Sequence, residues 1–155
     1  MTESETTRIE REHFLIHVPY EWKAVRGDDP LEFEFRNQTL PEQLIVTVML
    51  AGKPLLEQTL RSAVERLVEL RLAALAELSR GKAVCSPVGY QSDSGQVEAR
   101  CTGVDEPNGV RIAWDIRSTK NKIVTVALTR YSLEEVGAAF EIYAGIIFDL
   151  VQVKD

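Results

Sequence analysis

The chain has 155 residues, 45% hydrophobic and 27% charged, a balance that suits one globular domain and excludes disordered and collagen-like chains. A net charge of −6 repels phosphate backbones and anionic lipid alike, so nucleic acid is not an expected partner. No apolar stretch approaches the roughly 18 residues of a membrane span, so no stable membrane insertion is expected.

Residues 1–12 carry Glu3, Glu5, Glu10 and Glu12 and lack the apolar centre of a secretory signal. They are expected as a flexible N-terminal arm ahead of a single α+β domain over 13–155, with a cytoplasmic location. There Cys85 and Cys101 stay reduced and serve as small buried hydrophobes.

His13 to Val18 alternates, with Phe14, Ile16 and Val18 on one face, and reads as a strand ending at Pro19. Leu31 to Arg36 sets Leu31, Phe33 and Phe35 against Glu32, Glu34 and Arg36, the pattern of a strand with one wet face. Leu44 to Leu50 is apolar on both faces apart from Thr47. Such a strand calls for a helix or a partner on each side of the sheet.

Pro54 suits the first turn of a helix, where its missing N–H is not needed, and Gly81 suits the left-handed residue that ends one. Between them Leu56, Leu60, Ala63, Val64, Leu67, Val68, Leu70, Leu72, Leu75 and Leu78 cover an arc of about 200°, twice what one sheet requires. The excess, centred on Val68, Leu72 and Leu75, is expected to meet either a second helix of the chain or a second subunit.

Four strands are predicted next, at Ala83–Gln91, Gln96–Val104, Val110–Arg117 and Lys122–Tyr131. Asn108-Gly109 supplies the positive φ of a hairpin turn, Asp93, Ser94 and Gly95 mark another, and the last three strands read as an antiparallel meander. Ser132 with Glu135 is a capping box that opens a final helix through Leu133, Val136, Phe140, Tyr143, Ala144, Ile147, Leu150 and Val151. Clustered strands with separated helices predict an α+β fold. It has an antiparallel sheet of about six to seven strands and two long helices.

Residues spaced for bond-making chemistry are not found. His13 and His17 lie about 13 Å apart on an extended strand, too far to share a metal ion. Glu32 and Glu34 alternate with phenylalanines as a solvated face does, and a Cys101–histidine pair depends on the fold. Phosphate-cradle motifs are missing, so no catalytic residue, cofactor or metal is assigned. Arg100, Arg111, Arg117 and Arg130 fall on the meander, and whether they form one patch depends on register.

Phe14-x-Ile16-x-Val18-Pro19-x-x-Trp22, followed by the strand with Phe33 and Phe35, resembles the start of PsbP-like and DcrB-like domains. The order strands, long helix, meander, C-terminal helix also looks like theirs over roughly residues 13 to 152. The resemblance implies an α/β/α sandwich and a non-catalytic role. The group includes a photosystem accessory subunit, a nuclear-import factor, lipoproteins, and cytosolic chaperones for type VI secretion effectors.

The expected function is a non-catalytic cytosolic adaptor or secretion-type chaperone that binds a protein segment, an exported effector being one such partner. A homodimer is expected, with Val68, Leu72 and Leu75 as the partner-binding residues. The alternative is a small-molecule binder or small enzyme with a pocket between sheet and helix, near Tyr20, Trp22, Cys101 or the histidines.

Overall fold

The structure, a computed structural model, describes residues 6–19, 21–25, 29–93, 96–134 and 139–154. Among these, the strands are β1 (Thr6–Glu10), β2 (Phe14–Pro19), β3 (Trp22–Val25), β4 (Glu32–Asn37) and β5 (Glu42–Leu50) before the helix α1 (Glu57–Leu78). There follow β6 (Val84–Cys85), β7 (Gly89–Asp93), β8 (Gln96–Asp105), β9 (Val110–Ser118) and β10 (Lys122–Arg130), then the helix α2 (Phe140–Asp149) and β11 (Val151–Val153). Eight strands form one sheet in the order β3-β4-β5-β10-β9-β8-β6, with β7 sharing the outer edge of β8, and β1-β2-β11 form a second sheet of three. Every pairing is antiparallel.

Side chains alternate between the faces of a strand, and the register sorts them into two cores. Val97, Ala99 and Cys101 of β8, Trp114 and Ile116 of β9 and Ile123 of β10 pack under Leu60, Val64, Val68 and Leu75 of α1. Residues of the other parity, among them Leu44, Val46, Ala113, Val124, Val126 and Leu128, pack against Phe14, Ile16 and Val18 of β2 and Phe140, Ala144 and Ile147 of α2. So α1 covers one face, over β8 and β9. The small sheet together with α2 covers the other.

The meander is β8-β9-β10, and Gly109 at its first turn has φ of +67°. Gly81, after α1, has φ of +77° and donates its N–H to the Ala76 carbonyl, the left-handed helix end that its position predicts. Trp22 is buried in the larger core.

Several expectations are corrected. Thr6–Glu10, part of the expected arm, pairs along β2 from Thr6↔Pro19 to Glu10↔Leu15. Its side chains are mostly exposed, Ile9 alone packing against the larger core, so hydrophobic alternation carried no sign of it. The eleven strands exceed the six or seven expected because β1, β3 and β11 are short or solvated. Ala83–Gln91 is two strands, since Ser86 still bonds Thr102 through its backbone and hydroxyl while Pro87 has no N–H to continue the ladder.

The last helix is also shorter at both ends. Leu133 and Glu134 are not helical, and the cap residue Ala139 is extended with ψ of 146°. The Ser132 hydroxyl accepts the N–H of Glu134 in a local turn, and the carbonyls of Leu133 and Glu134 go to Arg111 and Arg130. Glu135 of the capping box and Val136 lie outside the described residues, as do Ser94 and Gly95 of the expected turn and Tyr20 of the alternative pocket. Val151 leaves the helix for β11, opposite Ile16. The second layer is therefore a ten-residue helix beside a three-stranded sheet, not a long helix.

Candidate functional site

At 100° per residue the buried residues of α1, Leu60, Val64, Val68 and Leu75, fall within about 80° of one another. Val68 is 3% and Leu75 6% exposed, and Leu72 is half-buried against both clusters under the helix. The three residues expected to meet a partner are thus occupied by the chain's own sheet. The excess apolar arc lies about a quarter turn away, at Leu56, Ala63, Leu67, Leu70 and Ala74, where Leu70 is 48% exposed. Arg61 on the opposite flank stacks over the Tyr90 ring at 5.2 Å and reaches Ser92, fixing that flank toward β7. The apolar flank accordingly faces β10 and β5.

On that side α1 reaches β10 at Ile123, and among the described residues no helix lies over β5. The floor there consists of Gln43, Ile45, Thr47 and Met49 of β5 beside Ala127 and Thr129 of β10. Ile45, Thr47 and Ala127 are half-buried, and Met49 is 51% exposed. Tyr131, donating its hydroxyl hydrogen to Gln43 Oε1 at 2.7 Å, closes one end. Beyond β5, Glu34 of β4 accepts from Arg36 at 2.7 Å and Gln43 at 2.8 Å and forms a polar rim. A shallow groove results, with an apolar helical wall and a floor of small and medium side chains.

The four meander arginines share a face, the one opposite the groove, yet they make no basic patch. Arg130 and Glu42, both buried, pair at 2.6 Å, and the Arg130 guanidinium stacks on Phe140 at 5.1 Å and Tyr143 at 5.0 Å. Tyr143 donates to Glu42 Oε1 at 2.6 Å; burial first, and that carboxylate second, push its phenol well above the ordinary range. At the other end of α2, Arg117 donates to the carbonyls of Phe148 and Val151 and pairs with Asp115 at 2.5 Å and Glu98 at 3.1 Å. Arg100 joins Asp149 at 2.9 Å and Asp115 at 3.5 Å. These clamps attach both ends of a short helix to the sheet, and their charge is consumed internally.

Cys101 and His13, two residues of the alternative reading, do not meet. Cys101 lies on the α1 face, where burial raises its thiol to about 11. His13 Nδ1 sits 3.2 Å from Lys122 Nζ on the other face, so thiol and imidazole are separated by the sheet. Cys85 is exposed with its thiol also raised by burial. His13 does line a cleft of about 270 Å³ with Arg11, Phe14, Pro30, Phe33 and Val48. Among the described residues no group of three or more His, Cys, Asp or Glu is placed to hold a metal ion, and no helix is long and apolar enough to cross a membrane.

Two helices on a largely antiparallel framework, in this chain order, define a PsbP-like fold. The solution structure of cyanobacterial PsbP (CyanoP) from Synechocystis sp. PCC 6803 matches 99% of this chain and 95% of its own, with a TM-score of 0.61 and 13% identity. A crystal structure from Bacteroides thetaiotaomicron VPI-5482 matches 92% of this chain and 45% of its own, at a TM-score of 0.48 and 11% identity. No protein-family model and no curated protein matches the sequence. The likeness is one of backbone alone.

Proposed function

We propose that the chain is a non-catalytic adaptor or secretion-type chaperone of the DcrB-like kind, acting in the cytosol, which holds a segment of a partner protein. The observation that carries this reading is the groove between the apolar flank of α1 and the exposed face of β5, with Ala127 and Thr129 of β10 beside it. Strands are spaced about 4.8 Å apart, so a segment lying over β5 and β10 sits roughly 10 Å from α1, the separation at which helices pack. An amphipathic helix fits, its apolar side on Ile45, Met49, Leu67 and Leu70. An exported effector is one source of such a segment; a second copy of the chain, in a homodimer, is another.

Substituting the exposed wall and floor tests the reading. Met49→Asp with Leu70→Asp removes apolar groove surface without disturbing buried residues, and loss of the partner from affinity capture, with the fold unchanged by circular dichroism, is the expected result. Retention of the same partner at wild-type yield contradicts it. The cleft beside His13 supports a second reading, a small apolar ligand bound against Phe14, Phe33 and Val48. A thermal shift with a metabolite panel, lost in Phe33→Ala, would favour that reading over the first.

A further inference from the structure

The cluster that fixes the C-terminal end of α2 contains three carboxylates for two guanidiniums. Glu98 and Arg100 come from β8, Asp115 and Arg117 from β9, and Asp149 from α2. The cross-strand pairs Arg100↔Asp115 and Glu98↔Arg117 bring the strand members together, so their proximity follows from register alone. Asp115 is the fully buried member. Its Oδ2 faces Arg117, whereas Oδ1 has no hydrogen-bond donor, the nearest being Arg100 Nε at 3.5 Å. Above it the ring of Phe148 lies under Arg100 at 5.6 Å, and Arg117 reaches the last carbonyls of the helix. A cleft of about 340 Å³, lined by Glu98, Arg100, Arg117, Asp149, Val151 and Val153 among others, separates this end of α2 and β11 from the sheet.

We propose that α2 and β11 form a proton-linked latch, closed when Asp115 is neutral and opening more often from β8 and β9 when Asp115 is ionised. The cluster carries one surplus negative charge, and its most buried oxygen lacks a donor, so a proton on Asp115 relieves both deficits at once. When the segment lifts, water reaches the carboxylate and removes the reason to hold that proton. Burial, the leading cause, and the neighbouring Glu98 raise the Asp115 carboxyl to about 6, against the pull of Arg117 and Arg100. Of the other titratable groups described beside the segment, His13 and Lys122 meet the Lys154 end of β11, and Tyr143 with Glu42 and Arg130 lies at the opposite end of α2, not at Asp115. The latch lies on the face opposite the groove, so it stands or falls independently of the docking reading.

Linkage sets the direction. Asp115 is harder to ionise in the closed state than in water, so closure is favoured below the ordinary aspartate value and this advantage is lost as pH rises through about 6. Hydrogen exchange of the full chain, corrected for intrinsic rate, reads it out alongside the Asp115 carboxyl carbon followed by NMR. Between pH 5 and 7.5 the opening constant of the amides from Ala144 to Val153 is expected to rise roughly tenfold, with the midpoint of the Asp115 titration. Amides at the centre of β10 should not follow. Glu98→Gln is expected to move both midpoints to lower pH together, and Asp115→Asn to leave opening flat. A flat profile in the wild type, a dependence that survives Asp115→Asn, or midpoints that part in Glu98→Gln would overturn the latch.

Discussion

A Cβ added to Gly103 would lie 2.7 Å from Cδ2 of Leu75 and 3.3 Å from the Cys85 sulfur, so β8 and α1 meet at a point where only hydrogen fits. Leu75 is the last buried residue of the helix, and its contact with Cys101 and Trp114 sets how closely α1 approaches the sheet. That distance in turn sets the height of the groove wall.

Gly103→Ala should therefore lift the C-terminal half of α1 and lower stability by about 1–3 kcal/mol in denaturant titration, the usual penalty for overpacking. Gly52→Ala, where nothing lies within 4 Å of the added carbon, is the control and should stay within about 0.5 kcal/mol of wild type.

Arg130→Met leaves the Glu42 carboxylate buried without its guanidinium. The loss should reach about 3–5 kcal/mol, because an uncompensated charge costs more than the pair contributes. Adding Glu42→Gln removes that charge, so the double variant should unfold at higher denaturant than Arg130→Met alone. Equal or lower stability of the double variant would show that Asn37 and Tyr143, the other partners of Glu42, dominate this clamp.

Asp115 also predicts the sign of the pH dependence of global stability. Because its folded value is raised to about 6 from 3.8, its contribution is greatest at acid pH and is lost as pH rises through 6. Wild type measured against Asp115→Asn should thus lose about 1–3 kcal/mol between pH 4 and pH 7. Denaturant titrations of both proteins at those two pH values check it, and a difference of the opposite sign would contradict the burial of an ionised carboxylate.

The strands with alternating or doubly apolar faces were legible from residue pattern, as were the meander and the left-handed end of α1, because each buries side chains in a periodic way. β1 engages mainly through backbone pairing, β3 buries only Trp22 and β11 only Val151, so periodicity had little to register. The excess apolar arc of α1 was legible as a quantity, but its direction was not. Which flank lies down depends on Arg61 stacking over Tyr90, a contact between residues 29 positions apart. Both apolar faces of β5 were equally visible and implied a helix or partner on each side; the chain itself supplies cover on one. The shared face of Arg100, Arg111, Arg117 and Arg130 waited on register, and the pairing of Arg130 with Glu42 and of Arg100 with Asp149 depended on residues arriving from distant segments.

Site-specific photo-crosslinking in the native host tests the docking groove most directly, with the reactive group placed in turn at Met49, at Leu70 and, on the outward side of α2, at Ile146. Met49 and Leu70 should label the same short segment of one partner, mapped by mass spectrometry, while Ile146 should not. Labelling of that partner from Ile146 with none from Met49 or Leu70 would contradict it.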